Sequence, residues 1–191
     1  IPLEARELVG RRADARGRRG VARAFQIPQP FAHLSAYENA LAAPTFAARL
    51  PRAQAARQAW AVLERTGLAD RADVPAGRLP LLDRRPLELA TALARRPHLL
   101  LLDEIAGGLT EAEVQVLVAL VLELKQDVAM IWIEHIAQAL MAVADRIMVR
   151  NFGRKLLEDT PAAAMASREV REVYMGVGDE DAQEEHTHAA A

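Results

Sequence analysis

The chain has 191 residues, with 24 basic against 26 acidic side chains, no cysteine and 51% hydrophobic residues, a length that suits one globular domain or one core with an inserted subdomain. Without cysteine, disulfide scaffolds and thiolate metal sites are excluded. No apolar run reaches the roughly 18 residues of a bilayer-spanning helix, and the near-neutral charge speaks against a dedicated nucleic-acid binder.

Residues 1–24 are rich in arginine, with Arg6, Arg11, Arg12, Arg16, Arg18, Arg19 and Arg23 set against Glu4, Glu7 and Asp14. They lack the apolar stretch and cleavage pattern of a secretory signal. They read as a polar helix leading into a short strand over residues 21–25. Eight of the ten prolines then fall between Pro28 and Pro97. Each locks its own φ and biases its predecessor away from helix, so short helices broken by turns are expected. Ser35 and Glu38 form a capping box that opens a helix toward Ala42. A second helix is expected over residues 52–66, ended by Gly67, and a third over residues 84–96, stopped by Pro97.

After Pro97 the pattern changes. Leu99-Leu100-Leu101-Leu102 runs into Asp103-Glu104, as expected of a strand covered on both faces. Thr110 and Glu113 make another capping box, opening a helix to Gln126. Residues 128–133 read as a second buried strand and residues 137–144 as a short helix. Residues 146–150 and 154–157 flank Asn151-Phe152-Gly153, a hairpin signal. Thr160-Pro161 caps and starts one more helix. Alternation of strand and helix predicts a parallel α/β sheet with right-handed crossovers. The acidic tail from Asp179 to Ala191 lacks apolar content and reads as disordered.

The chemistry-bearing residues sit where those strands end. Ligands of open α/β sheets bind beyond the carboxyl ends of strands, so Asp103 and Glu104 point at a site. Two adjacent acids there suit a nucleotide's Mg2+ and an attacking water, although a strand ending in two solvated acids looks the same in sequence. The next strand ends in Trp132-Ile133-Glu134-His135, placing a histidine at the same sheet edge. Gln26 closes the strand at residues 21–25 in a third equivalent position, with an amide that both donates and accepts.

In order and spacing, Gln26, the run Leu99-Leu100-Leu101-Leu102-Asp103-Glu104, and His135 resemble the Q-loop, Walker B strand and switch histidine of ABC transporter ATP-binding subunits. Arg23-Ala24-Phe25-Gln26, Pro30-Phe31, Glu38-Asn39, Ile133-Glu134-His135, Ala144-Asp145-Arg146, Gly153-Arg154, Thr160-Pro161 and Tyr174-Met175-Gly176 are similar to the branched-chain amino-acid importer branch. The similarity covers residues 15–176. It implies an α/β fold: part of a P-loop NTPase-like parallel sheet core with an inserted helical subdomain, ending in a β-hairpin and short helices. It implies ATP and Mg2+ as cofactors, with Asp103 and Gln26 at the metal, Glu104 polarising water and His135 sensing the γ-phosphate. Gln26, Asp103, Asp83 and Thr110 would contact the nucleotide side of the site. Implied partners are transmembrane permease subunits and a second ATP-binding subunit, not nucleic acid, on the cytoplasmic face of the cell membrane. The expected division is residues 1–26 as an ATPase-core remnant with the Q-loop strand, 27–97 as the helical subdomain, 98–176 as half of the α/β core, and 177–191 as tail.

The chain also departs from that family. Only Lys125 and Lys155 are lysines, and neither stands in the G-x-x-x-x-G-K-[ST] loop that cradles phosphates. Together with a start at Ile1, this leads us to expect a chain that lacks its N-terminal third and is inactive in hydrolysis by itself. The signature-loop positions fall on Pro80, Leu81, Leu82 and Asp83, where proline offers no N–H and leucines replace glycines. Thr110 stands in the D-loop and Ile105 follows Glu104 where proline is usual. These changes leave open a docking module that binds a partner without hydrolysis. Loss of the P-loop strand and helix is expected to uncover apolar sheet surface and leave the chain marginal in stability. His186-Thr187-His188 is at most a weak metal site, and Met141, Met148 and Trp132 read as core.

Overall fold

The computed structural model describes residues 2–3 and 6–175, so the acidic tail and His186-Thr187-His188 lie outside the described residues. The described chain divides into two compact units, one ending at Ile136 and the other starting at Ala137. In the first unit, β1 (Pro2–Leu3) and β2 (Arg6–Glu7) form a small antiparallel pair that precedes the short helix α1 (Ala13–Gly17) and β3 (Val21–Ala24). The proline-broken region holds α2 (Ala36–Ala42), a π-helical turn over Ala43–Ala47, α3 (Arg52–Arg65) and α4 (Leu81–Leu93). Then come β4 (Leu99–Asp103), α5 (Glu111–Leu124) and β5 (Ala129–Ile133). The second unit contains α6 (Ala137–Val143), β6 (Ile147–Asn151), β7 (Arg154–Asp159), α7 (Pro161–Ala166) and α8 (Arg168–Met175).

Local chemistry accounts for most boundaries. Both expected capping boxes form: Ser35 Oγ accepts from Glu38 N at 3.1 Å and Glu38 accepts in return from Ser35 N at 2.8 Å. Thr110 and Glu113 do the same at α5. Each box satisfies helix N–H groups that have no partner within the helix. Thr160 caps α7 through Ala163 N. The β6–β7 turn places Phe152 and Gly153 at φ 45° and 78°, the left-handed pair that suits a two-residue hairpin turn.

One helix starts earlier than expected. α4 begins at Leu81 rather than at residue 84, because Pro80 takes the N-cap position with φ −52°, already suited to helix entry. Pro86 lies inside this helix, where it forgoes one backbone hydrogen bond. Burial of Leu87, Leu89, Ala90, Ala92 and Leu93 on the same helix offsets that loss.

The three-stranded parallel sheet has the order β3-β4-β5, with Ala24 opposite Leu102 and Asp103 opposite Ile133. Here the expectation of strands covered on both faces is corrected, while the expected uncovering of apolar sheet surface agrees with the exposures on the second face. Ala22, Ala24, Leu100 and Leu102 are buried on one face, where α4 packs against β3. On the other face Leu99 and Leu101 are half-buried, and Ile131 and Ile133 are 54% and 60% exposed. Continuous apolar sequence fits both arrangements, since periodicity does not report whether a second layer is present. Met141 and Met148, expected in the core, are also exposed. No helix among the described residues is long and apolar enough to cross a membrane.

In the arm between β3 and β4, Asn39 is the buried polar knot. Its Oδ1 accepts from Phe31 N at 2.8 Å, while its Nδ2 donates to the carbonyls of Phe31, Leu34 and Ser35. These bonds tie the loop at residues 31–35 to α2 and satisfy a side chain that would otherwise be costly to bury.

Candidate functional site

The parallel register brings three chain segments to one carboxyl edge of the sheet. Gln26 lies just past β3, Asp103 ends β4 with Glu104 next to it, and Glu134-His135 follow β5. Gln26 Nε2 donates to Glu104 Oε2 at 2.5 Å, and His135 Nδ1 lies 3.9 Å from the same oxygen. Four of the six site residues expected from sequence therefore meet here: Gln26, Asp103, Glu104 and His135. Glu104 carries a left-handed backbone, φ 46°, and its N–H donates to Ile133 O at 2.8 Å. A non-glycine residue in that region costs about 1 kcal/mol, and such strain clusters at functional positions.

Asp103 faces the open side of the sheet with Leu99 and Leu101, and its carboxylate is paired with the Arg23 guanidinium from β3. Arg23 also lies 4.6 Å from the centre of the Phe25 ring, a cation–π contact. Glu134 has a side chain with no solvent exposure. It accepts from Ala106 N at 3.1 Å, His135 N at 2.9 Å and Ile136 N at 3.4 Å, and Oε1 lies 3.0 Å from His135 Nδ1. Gly107 belongs to the same corner, since a Cβ there would come within 3.7 Å of His135 Cε1.

The other two expected site residues make their contacts elsewhere. Thr110 Oγ1 donates to Glu113 Oε2 at 2.8 Å as part of its capping box. Asp83, in the first turn of α4, is paired with Arg71. Beside Asp83, Leu81 is 67% exposed and Pro80 provides no side-chain cap.

Sequence reading left three contributors without a role. In sequence Arg23 is one of a run of arginines and a neighbour of Gln26, Glu134 is a motif residue beside His135, and Glu88 carries no signal. Glu88, on α4, accepts from Gln29 N at 3.3 Å beneath the segment that carries Gln26. Burial raises its carboxyl above the ordinary value, and the N–H groups of Gln29 and Phe25 oppose that rise. A charged side chain on an apolar strand, or an acid beside a histidine at a strand end, was the available signal.

Comparison with known proteins identifies the family. The chain is 33% identical to the high-affinity branched-chain amino acid transport ATP-binding protein LivG of Salmonella typhimurium, covering 92% of this chain and 75% of that protein. It is 32% identical, with the same coverage, to the corresponding BraF protein of Pseudomonas aeruginosa. Among solved structures, the ADP conformation of an ATP-binding cassette of an ABC transporter superposes with a TM-score of 0.77 at 22% identity, covering 91% of this chain and 75% of that one. A nucleotide-free cassette superposes with a TM-score of 0.76 at 21% identity over 92% of this chain and 76% of its own. A scan against protein-family models finds no match. The sheet order, the carboxyl-edge cluster and this level of identity lead to one conclusion: the chain belongs to the ATP-binding proteins of ABC transporters, in the branched-chain amino-acid importer branch.

Proposed function

We propose that this chain works as the ATP-binding subunit that energises import of amino acids of the branched-chain type. The observation that carries the reading is the convergence of Gln26, Asp103, Glu104 and His135 on one sheet edge. Glu104 accepts a hydrogen bond from the attacking water and polarises it toward the terminal phosphate. Gln26, through its amide N–H, holds the Glu104 carboxylate in place, and His135, 3.9 Å from the same carboxylate oxygen, is the group proposed to meet the phosphate.

The donor set fits Mg2+. Asp103 and Gln26 offer oxygen donors, the type a hard divalent cation takes; the Asp103 carboxylate is paired here with the Arg23 guanidinium, whose place Mg2+ would take. Mg2+, when bound, neutralises charge on the phosphate oxygens. The 191 residues contain no G-x-x-x-x-G-K-[ST] loop. The division of labour proposed for this chain is therefore orienting water and sensing phosphate, with Asp83 and Thr110 facing a second ATP-binding subunit.

The helical arm at residues 27–97 is the proposed docking element for a membrane permease on the cytoplasmic side. α2 and α3 border an open groove lined by Tyr37, Arg57, Trp60, Glu64 and Asp73, with the two aromatic rings 6.3 Å apart. Such a surface combines apolar area with charged rims. ATP turnover by the transporter assembled with this chain tests the reading. Glu104→Gln is expected to abolish the turnover contributed by this subunit. Unchanged turnover would favour the second reading, a docking module without hydrolysis, which the proline cap and exposed leucines at the start of α4 support.

A further inference from the structure

We infer that Glu134 is a positioning residue, locking the His135 ring as its Nδ1–H tautomer and tying the segment after Glu104 to the segment that carries His135. The inference rests on the reading of this edge as an ATP site. Its geometry is local. The Glu134 side chain is fully covered and lies between two loops. Oε2 accepts from Ala106 N, two residues past Glu104, at 3.1 Å. Oε1 accepts from His135 N and Ile136 N and sits 3.0 Å from His135 Nδ1. The three hydrogen bonds to the carboxylate come from backbone N–H groups, and an ionised carboxylate only accepts, so in a neutral ring the nitrogen lying 3.0 Å from it is the one that carries the proton.

The consequence concerns the other nitrogen. With the proton held at Nδ1, Nε2 of a neutral His135 is an acceptor, and it becomes a donor only when the ring takes up a second proton. An outer carboxylate that fixes a histidine's tautomer is a recurrent way of setting what its free nitrogen can do. Glu104 lies farther from Nδ1, at 3.9 Å, so the nearer and covered Glu134 sets the ring's orientation. One side chain thereby fixes the spacing between the water-polarising acid and the phosphate sensor. Charge-assisted bonds to backbone N–H groups make this a strong joint.

The experiment is 15N–1H correlation of the histidine rings in the nucleotide-free 191-residue chain, above the pH at which imidazolium forms. His135→Asn identifies the ring signal by its loss. The expected wild-type spectrum has a protonated Nδ1 and a bare Nε2. Glu134→Ala is expected to move the proton to Nε2, the form that an unconstrained histidine favours, and to release the Ala106 N–H to faster exchange. Glu134→Gln retains an acceptor oxygen and is expected to keep Nδ1–H, as is Glu104→Gln. A wild-type ring protonated at Nε2 overturns the inference, as does retention of Nδ1–H in a folded Glu134→Ala chain. Should that variant unfold, the wild-type and Glu104→Gln spectra decide. No nucleotide enters the measurement, so failure of ATP binding and failure of this inference are separate results.

Discussion

The two faces of the β3-β4-β5 sheet are built from alternate residues of the same strands and do different work. Ala22, Ala24, Leu100 and Leu102 form a closed face on which α4 packs. Arg23, Leu101, Asp103, Ile131 and Ile133 form the open one, and it ends in the acids of the site. Stability is concentrated on the first face. The second combines apolar side chains with a charged pair, so it has surface to bury and chemistry to perform. A one-residue shift in register would exchange the two sets, which is why the alternation is so consequential.

The largest expected effect lies at the edge of the open face. Glu104→Gln should reduce the ATP turnover contributed by this subunit by about 10²–10⁴-fold, the usual range for a positioned general base, with little change in folding. Steady-state phosphate release together with thermal unfolding checks both halves of that statement. Next comes the closed face. Leu102→Ala, at a position 1% exposed, should destabilise the chain by about 2–5 kcal/mol in denaturant titration. Ile131→Thr on the open face should change stability by no more than about 0.5 kcal/mol while reducing self-association measured by light scattering. Equal costs at the two positions would break the distinction between the faces.

The smallest effect is a pH dependence beneath the Gln26 segment. Burial raises the Glu88 carboxyl above its ordinary 4.5, so the folded chain binds this proton more readily than the unfolded chain. Its contribution to stability is fully present below that value and is lost as pH rises through the folded-state value. Because Glu88 is only partly buried, solvent screening keeps the change in melting temperature to about 2 °C or less. Glu88→Gln should flatten that part of the profile. A wild-type chain that gains stability from this group on going from acid toward neutral pH would contradict the assignment.

Much of the arrangement was legible because local chemistry specified it. The capping boxes at Ser35 and Thr110, the Phe152-Gly153 turn and the Thr160 cap each involve residues close in sequence. Gln26, Asp103, Glu104 and His135 were legible through strand ends and family resemblance, and the register then brought them together. The open face was legible through the expected uncovering of apolar sheet surface and not through the leucine run, which does not show whether a further layer covers it. Arg23, Glu88 and Glu134 escaped for a related reason. Their partners are 80, 59 and 28 residues away in sequence at Asp103, Gln29 and Ala106, and only the fold brings those pairs into contact. The start of α4 was placed too late because Pro80 reads in sequence as a break, whereas its φ suits the entry to a helix.

The central claim is that the sheet edge is the water-orienting and metal-holding side of an ATP site. Calorimetric titration of the 191-residue chain with ATP, with and without Mg2+, tests it most directly. Mg2+-dependent binding is expected, lost in Asp103→Asn and retained in Glu104→Gln. No binding, or binding indifferent to both Mg2+ and Asp103, would contradict it.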